Sequence, residues 1–232
     1  MVSIERSLKG AYMWPKLMVF VRHGEAWINA HPVSEWISEK VSNFHAPLSE
    51  RGRQQAKITG EYIKKRYGKF DAHFVSSFPR TEETQREMGF TEDPILDARL
   101  DECWAGIWYT MTEEEIRAKY PEELRLRELH GWFHYRPIGG ESGAELELRV
   151  HAFNAYLREM YRGKRVLVVG HGRWMIHHQR IMQNLSLEET KRRYVEKNRR
   201  FPNASIAAYR CINGSAEIFE EYTVPWESQA QV

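Results

Sequence analysis

The chain has 232 residues, of which 42% are hydrophobic and 28% are charged, as in a soluble globular protein with one large domain. Its 34 Lys and Arg residues nearly match its 32 Asp and Glu residues, so the formal net charge is +2. This balance gives no general reason to expect binding to nucleic acid or to a membrane. No apolar run approaches the length of a membrane span, and the N-terminus lacks a secretory-signal pattern.

The sequence contains two cysteines, Cys103 and Cys211, which could in principle pair. Such sparse usage without a secretory signal is typical of reduced thiols, so we expect a cytoplasmic protein. We expect one domain at residues 16–223, preceded by an N-terminal extension at 1–15 and followed by a polar C-terminal tail at 224–232.

The first predicted elements are a strand and a helix separated by an irregular segment. The apolar run LMVFV at residues 17–21, closed by Gly24, is typical of a strand that is buried on both faces of a sheet. Residues 30–47 lack a regular pattern. The segment 47–67 has apolar residues near helical spacing, and Ser49 is a good N-cap, so this segment predicts a helix.

A second strand and two further helices follow in the next part of the chain. HFVSS at residues 73–77 predicts a strand, and Pro79 favours a helix that begins near Arg80. The acidic stretch after Thr112 predicts a capped helix. We interpret residues 112–137 as that one acidic helix followed by an aromatic connector.

The last third of the sequence predicts a long helix, a strand and a hairpin. Ser142 and Glu145 match a capping box that opens an amphipathic helix to about Tyr161. The run at residues 166–169 is the strongest parallel-strand candidate and, like the first strand, it ends near glycine and histidine. Two strands joined by a tight Asn-Gly-Ser turn at 213–215 then predict an antiparallel pair.

This alternation of strands and helices predicts an α/β fold, a three-layer single domain with a mostly parallel central sheet flanked by helices. Ligands of such sheets bind beyond the carboxyl ends of the strands. That rule places four side chains on one rim of the sheet, although they are far apart in sequence: Arg22, His23, Arg80 and His171.

These four residues suit the chemistry of a phosphate group. Two arginines can fork onto a tetrahedral anion, and backbone amides at glycines and helix starts supply further donors. Of two histidines at the same rim, one can attack phosphorus while the other donates hydrogen bonds to the oxygens. Positive neighbours disfavour protonation, so the arginines would keep the attacking imidazole neutral.

Six motifs, taken in order, resemble those of the histidine phosphatase superfamily, which includes the phosphoglycerate mutases. The resemblance covers roughly residues 16–212, and the ordered set is far more specific than any single motif. The motifs are VRHGE at 21–25, PLSERGRQQA at 47–56, SSFPRTEET at 76–84, RLDECWAGIW at 99–108, GGES at 139–142 and VVGHG at 168–172.

The resemblance implies a phosphoglycerate mutase-like fold and a role for each matching residue. His23 would be the nucleophile that forms a phosphohistidine, and Arg22, Arg80 and His171 would complete the phosphate pocket. Each of these four residues would thus touch the transferred phosphoryl group.

Three further residues are implied by the same positions. Asn29 and the backbone N–H of Gly172 would also bind phosphate, and Glu102 would protonate the leaving oxygen and later activate water. A carboxyl beside bound phosphate feels negative charge that favours its protonated form, as a general acid requires. No metal and no cofactor is expected, because the cationic side chains supply the charge.

The function expected from these residues is metal-independent hydrolysis of phosphomonoesters, with a phosphorylated small molecule as the substrate. The alternatives are a cofactor-dependent phosphoglycerate mutase-type phosphotransferase and a non-catalytic phosphate-binding module on the same fold. The stretch between Glu102 and Gly140 resembles the shorter arrangement of the phosphatase branch. Keeping a general acid beside an anion would bring no benefit to a binding module.

Other motifs have simpler interpretations. His171, His177 and His178 do not predict a metal cluster, because adjacent residues cannot share one helix face. The basic stretch at 191–200 contains Glu196 and favours a solvated helix over a nucleic-acid patch. Six aromatic residues are expected mainly in the core, with those near Glu102 and the GGES motif at a substrate mouth: Trp104, Trp108, Trp132, Phe133, Tyr135 and Trp174.

Overall fold

Residues 13–196 and 201–227 are described by the structure, a computed structural model. The strands in these residues form one sheet, with the spatial order β3-β2-β4-β1-β5-β6. Their bounds are β1 (Leu17–Arg22), β2 (Ala72–Val75), β3 (Ile95–Leu96), β4 (Arg165–Gly170), β5 (Ile206–Ile212) and β6 (Ser215–Thr223).

In the sheet, β3, β2, β4 and β1 are parallel to one another. Strand β5 is antiparallel to β1, and β6 is antiparallel to β5. Strand β1 lies between β4 and β5, and its Val21 and Arg22 are paired with Val169 and Gly170 of β4. Because these two strands are parallel and end in register, the residues that follow them emerge side by side. The predicted α/β fold with a mostly parallel sheet is confirmed.

Helices cover the sheet and fill the crossovers between its parallel strands. Their bounds in the described residues are α1 (Trp27–Ala30), α2 (Val33–Ser38), α3 (Glu50–Tyr67), α4 (Pro79–Glu87), α5 (Glu113–Lys119), α6 (Pro121–His134), α7 (Gly143–Met160), α8 (Gly172–Met182) and α9 (Leu187–Thr190). Short 3-10 turns lie at Ala98–Leu100 and Gly106–Tyr109, and a π-helical stretch lies at Lys191–Glu196.

The core has two layers because consecutive strand residues point to opposite faces of the sheet. Met18 and Phe20 of β1 pack with α7 and α8 through residues such as Phe153 and Trp174. The alternate residues of β1, among them Val19, pack on the other face with α3. Both faces of β1 are therefore buried, as its continuous apolar run predicted.

The predicted starts of the main helices are confirmed by their caps. The Ser49 hydroxyl accepts the N–H of Gly52 at the start of α3, and Pro79 is the first residue of α4. Thr112 and Ser142 each form a capping box with the glutamate three residues on. The turn between β5 and β6 has positive φ at its two central residues, as tight hairpins require.

Two interpretations of irregular segments were wrong. The segment 30–47 contains the short helix α2, and α1 ends at its first residue. The supposed aromatic connector is the helix α6, which begins at Pro121 and is interrupted at Gly131, where φ is 66°. Tyr120 alone separates α5 from α6, and Pro121 is tolerated because it occupies the first turn of the new helix.

The ends of the chain and one basic segment are only partly described. Residues 1–12, 197–200 and 228–232 lie outside the described residues, so the expected extension, tail and domain limits stay predictions. In the described part of the basic stretch, Lys191–Glu196, Tyr194 is buried and the backbone is π-helical rather than a regular solvated helix. No helix in 13–196 or 201–227 combines the length and apolarity needed to cross a membrane.

Candidate active site

The carboxyl ends of β1 and β4 bring two buried histidines together. The backbone N–H of His23 donates to the carbonyl of Gly170 at 2.9 Å, which ties the two strand ends to one another. The rings of His23 and His171 are 5.1 Å apart between centroids, and both are buried. Arg80 enters from the first turn of α4, with its Nε 3.2 Å from Nε2 of His23.

Hydrogen bonds fix the neutral tautomer of His23. Its Nδ1 lies 2.7 Å from the carbonyl oxygen of Gly24, which can only accept, so Nδ1 carries the proton. The lone pair is therefore on Nε2, where Arg80 donates to it. Burial, followed by the charges of Arg80 and Arg22, holds the pKa of His23 well below its ordinary value. His23 is thus a neutral imidazole with an available nucleophilic nitrogen.

His171 is held by a different set of partners. Its Nε2 lies 2.7 Å from the hydroxyl of Ser76, and its Nδ1 lies 3.5 Å from Nη2 of Arg80. Because arginine only donates, Nδ1 is unprotonated and Nε2 donates to Ser76. Burial and then Arg80 also hold the pKa of His171 well below its ordinary value. Both imidazoles are accordingly neutral in the unliganded site.

The buried Arg80 side chain packs against the Phe78 ring and forms hydrogen bonds with Asn43, which lies in the segment after α2. Its Nη1 donates to the backbone oxygen of Asn43 at 2.6 Å, and its Nη2 lies 3.4 Å from the Asn43 side-chain oxygen. The guanidinium also lies 4.6 Å from the Phe78 ring centroid. Burial lowers the pKa of Arg80 to about 10, which leaves it charged at neutral pH. The long contacts of Nη2 make it the donor most readily given to an anion.

Arg22 lies against the start of α8. Its Nη1 donates to the backbone oxygen of Phe201 at 2.5 Å. A Cβ on Gly172, the first residue of α8, would lie 3.1 Å from the Arg22 Nε, so glycine permits this close approach. The His171 side chain bonds Ser76 instead of capping α8. The positive end of that helix is therefore directed at the site beside Arg22, where it favours an anion.

Glu102 lies in the wall of a cavity of about 580 Å³ that Arg22 and Gly172 also line. Its Oε1 accepts the backbone N–H of Cys103 at 2.9 Å, and its side chain is half-buried. The structure therefore places this carboxyl in the same cavity wall as Arg22 and Gly172. Its acid–base role stays a prediction.

Asn29, a predicted phosphate ligand, forms hydrogen bonds with other residues of the protein. Its side-chain oxygen accepts the N–H of Ala26 at 2.9 Å at the start of α1 and that of Asn203 at 3.2 Å. The Asn203 amide also donates to the backbone oxygen of His23 at 3.2 Å. Asn29 is thus connected to His23 through Asn203.

Close packing against α3 explains why the VRHGE motif has a glycine at position 24. A Cβ on Gly24 would lie 2.4 Å from the backbone oxygen of Gly52, and one on Gly52 would lie 2.0 Å from that of Glu25. The N–H of Gly24 donates to the Thr84 hydroxyl at 3.0 Å, which in turn donates to the Arg80 backbone oxygen at 2.7 Å. Glycine is therefore required here so that the loop can rest on α3.

Three residues of the site were not singled out from the sequence. Ser76 and Thr84 lie within the SSFPRTEET motif, and strand-end and helix positions beside Arg80 could have indicated them. Asn43 lies in the segment interpreted as irregular, and no pattern there points to a contact with Arg80. Its role depends on the path of the chain after α2.

The remaining histidines and tryptophans have mainly structural contacts. His177 bonds Glu147 at 2.9 Å, and His178 stacks on Trp174 with a ring separation of 5.0 Å. In the part of the chain that the structure describes, no three metal-ligating side chains are grouped to hold a metal ion. Trp174 is fully buried as expected, and Trp104, two residues from Glu102, is 40% exposed, in agreement with the expectation that aromatic residues near Glu102 lie outside the core.

Two guanidiniums, a helix N-terminus and a neutral buried imidazole can hold a tetrahedral anion beside a nucleophilic nitrogen. This combination at the carboxyl edge of a parallel sheet defines a class of phosphate-handling α/β proteins. The profile of the histidine phosphatase superfamily (branch 1) matches residues 18–218. The chain belongs to this superfamily.

Relatives of the chain include both phosphatases and mutases. It is 31% identical over 158 residues to fructose-2,6-bisphosphatase of Saccharomyces cerevisiae, covering 68% of this chain but 32% of that protein. It is 32% identical over 169 residues to a 2,3-bisphosphoglycerate-dependent phosphoglycerate mutase of Methylobacterium radiotolerans, covering 68% and 74%. The match thus spans about a third of the yeast protein's length.

Solved structures show the same fold at lower identity. The alpha-ribazole phosphatase of Shigella flexneri superposes with a TM-score of 0.72 and 19% identity, covering 89% of this chain and 96% of that one. The similarity confirms the predicted three-layer fold.

Proposed function

We propose that the protein is a metal-independent phosphatase that hydrolyses phosphomonoesters through a phosphohistidine on His23. The observation that carries this proposal is the state of His23, which is neutral, with its lone pair on Nε2 and that nitrogen beside Arg80. A site that only bound phosphate would gain from a charged histidine. The positive charge that phosphoryl transfer needs comes from Arg22, Arg80 and the start of α8.

In the first step, Nε2 of His23 attacks phosphorus while the bond to the leaving oxygen breaks. Glu102, protonated beside the bound phosphate, gives its proton to that oxygen, so the product leaves as a neutral alcohol. The proton stays on Nδ1, and its hydrogen bond to the Gly24 carbonyl oxygen stabilises the positive charge that develops on the phosphorylated ring. The step produces phospho-His23, a free alcohol and ionised Glu102.

In the second step, water attacks the phosphorus of phospho-His23. Ionised Glu102 takes a proton from the water as the phosphorus–nitrogen bond breaks, and the electron pair of that bond returns to Nε2. Inorganic phosphate leaves, and both residues regain their starting states. Glu102 suits this alternation because it lines the cavity through which alcohol and water exchange.

His171 changes its role when phosphate binds. Without a ligand its Nδ1 accepts from Arg80, but the negative charge of bound phosphate opposes the effects of burial and of the arginines on the pKa of His171. Protonation of Nδ1 would then give a donor to a phosphoryl oxygen. Ser76, which bonds Nε2, keeps the ring in place during this change.

Access of water to the site favours hydrolysis over transfer of the phosphoryl group to a second substrate. The cavity beside Glu102 is lined by half-buried Trp108 and Trp132 and by exposed Arg127, so water can enter. Water at high concentration outcompetes an alcohol that is weakly held. The similarity to a phosphoglycerate mutase makes transfer the second candidate.

The test is an assay of purified protein with phenyl phosphate near pH 6 in the presence of a metal chelator. We expect release of inorganic phosphate and a transient acid-labile phosphoprotein. In parallel, 3-phosphoglycerate is incubated with and without its bisphosphate. Rapid interconversion of 3- and 2-phosphoglycerate that needs the bisphosphate, with negligible phosphate release, would establish the mutase instead. Vanadate binding without any turnover would indicate a binding module.

A further inference from the structure

We propose that the cavity beside Glu102 binds the leaving group of the substrate, and that this group is a planar ring bearing a second anionic substituent. The inference rests on the proposed phosphatase function, because it assigns the alcohol side of the same site. It names a substrate class: phosphomonoesters of aromatic or heteroaromatic alcohols that carry a carboxylate or a second phosphate.

The position and size of the cavity suit a leaving group. Its wall begins at Arg22, Glu102 and Gly172, which are predicted members of the phosphate site, and continues between α6 and α8. Its volume of about 580 Å³ is in the range of pockets that hold a drug-sized molecule, well above the space that a three-carbon alcohol needs. A ligand that fills it while its phosphate contacts His23 must be bulky.

The far wall of the cavity presents flat aromatic faces. Nε1 of Trp108 donates to the Tyr135 hydroxyl at 3.0 Å, and that hydroxyl donates to buried Glu123 at 2.7 Å. The polar atoms of both rings are thus satisfied within the wall. What remains for a ligand is the ring surface of the half-buried Trp108 and Trp132, while Tyr135 and Phe201 support the wall and are almost fully buried. Such surfaces favour a stacked planar group.

Two arginines in the same wall have no acidic partner. Neither Arg127 nor Arg173 has its guanidinium within 4.0 Å of a carboxylate in the described parts of the chain. Arg127 lies 4.6 Å above the Trp108 ring, and Nη2 of Arg173 lies 3.4 Å from the Trp132 backbone oxygen. By contrast, Arg125 on the outer side of α6 pairs with Glu122 at 2.7 Å.

Unpaired guanidiniums beside an aromatic wall select a flat anion. Arg127 stacks on Trp108, so a ring placed next to this pair can stack while its anionic substituent meets the guanidinium edge. Glu102 is the carboxylate in the cavity wall among the described residues, and the proposed first step uses it in protonated form. The electrostatics of the wall during substrate binding are therefore strongly positive.

His177 lies in the cavity wall with one ring nitrogen that is enclosed by protein atoms. Its Nδ1 donates to Glu147 at 2.9 Å, and Arg180 bonds the same carboxylate, so the Nε2 lone pair is free to accept. Among the described residues, that buried nitrogen has no hydrogen-bond partner. His177 belongs to the cavity wall. Because this nitrogen is enclosed, a ligand in the cavity would meet the aromatic and arginine side chains of the wall instead.

Binding of non-hydrolysable phosphonates tests the proposal independently of turnover. Calorimetry of the full-length protein compares benzyl phosphonate with 4-carboxybenzyl phosphonate and with cyclohexylmethyl phosphonate. We expect the carboxylated ligand to bind at least about tenfold more tightly than benzyl phosphonate, from one charge-assisted contact. Benzyl phosphonate should bind several-fold more tightly than its saturated counterpart. Equal affinity within both pairs would overturn the proposal.

Matched variants locate the preference. Arg127→Gln and Arg173→Gln should each reduce the preference for the carboxylated ligand, while leaving the affinity for benzyl phosphonate within about twofold. Arg125→Gln, on the outer side of α6, should keep the full preference. A preference that survives in the Arg127→Gln and Arg173→Gln double variant would contradict the assignment. Circular dichroism checks that each variant is folded.

The outcomes separate this inference from the phosphatase proposal. Phosphate release from phenyl phosphate without a preference among the phosphonates would remove the leaving-group assignment and keep the phosphatase. The expected preference in a protein that releases no phosphate would keep the cavity assignment as a ligand pocket and remove the catalytic proposal.

Discussion

The two sides of the candidate site differ in how their polar groups are satisfied. On the phosphate side, His23, His171 and Arg80 are almost fully buried and bond one another or neighbouring backbone and side chains. On the cavity side, Arg127 is exposed and Trp108 is half-buried. In the proposed function, the phosphate side would hold one group common to all phosphoesters, whereas the cavity side would be open to variation in the alcohol.

The difference has a structural origin. The phosphate side is attached to the ends of β1 and β4, whose register leaves little freedom in where His23 and His171 emerge. The cavity wall comes largely from α6 and the 3-10 turn Gly106–Tyr109, which lie outside the sheet. A site can therefore keep its chemistry at strand ends and change its substrate through the connecting segment.

The largest effect is expected from His23→Ala, which removes the nucleophile and leaves the cavity intact. Turnover of phenyl phosphate should fall by a factor of at least about 10³, and the acid-labile phosphoprotein should disappear. Rapid-quench labelling measures both. His151→Ala, an exposed histidine on α7, is the control and should keep full activity. Undiminished hydrolysis in His23→Ala would disprove the proposed mechanism.

Glu102→Gln tests the residue that lies between the two sides. The amide keeps the shape but cannot give or take a proton, so hydrolysis of alkyl phosphates should fall by about 10²-fold or more. Phosphorylation of His23 by 4-nitrophenyl phosphate should fall much less, because that leaving group needs no proton. Stopped-flow release of nitrophenol measures this step. An equal loss for both leaving groups would remove Glu102 as the acid.

Arg80→Gln should damage the phosphate side in two measurable ways. Vanadate affinity should fall by about 10- to 100-fold, as expected for loss of charge-assisted hydrogen bonds worth about 1.5–3 kcal/mol. The pKa of His23 should also rise, because the variant removes a nearby positive charge but keeps the burial that is its main cause. The acid limb of kcat/KM should move to higher pH. Unchanged vanadate inhibition would place Arg80 outside the site.

The smallest effect concerns stability, away from both sides. Burial lowers the pKa of His178 to about 3, against an ordinary value of 6.5. The folded pKa lies below the unfolded one, so stability is fully present above pH 6.5 and is lost as pH falls below it. When the pH is lowered from 7 to 5, the free energy of unfolding should therefore decrease by about 2 kcal/mol less in His178→Phe than in the native chain.

Urea unfolding at the two pH values measures this difference. His130→Phe, at an exposed position of α6, is the control and should show the native pH dependence. The same pH dependence in His178→Phe as in the native chain would show that this buried histidine does not titrate on unfolding as expected.

The sheet and its rim could be predicted because their signals are local. The apolar run of β1 needs both faces covered, and the residue after a parallel strand must lie at the ligand-binding edge, which located His23 and His171. Arg80 followed from its place at the start of a helix behind β2. None of these inferences needed the path of the connecting segments.

The contributions of the connecting segments to both sides could not be predicted in the same way. Asn43 bonds Arg80, although nothing in its own segment distinguishes it, because the contact depends on how the chain folds back after α2. The helix α6 was interpreted as an aromatic connector, although Pro121 is well suited to the first turn of a helix. Arg127 and Arg173 resemble ordinary surface arginines in sequence, and only their shared cavity distinguishes them.

The close contact between Gly24 and Gly52 couples the nucleophile to a helix that supplies no predicted catalytic side chain. Because neither glycine has room for a methyl group, the loop after His23 and the first turn of α3 must move together. A change at Gly52, 29 positions further along the chain, acts directly on the direction in which the imidazole points. Helix α3 therefore acts as a rigid support for the loop that carries His23, and the position of its first turn determines how the His23 imidazole is oriented.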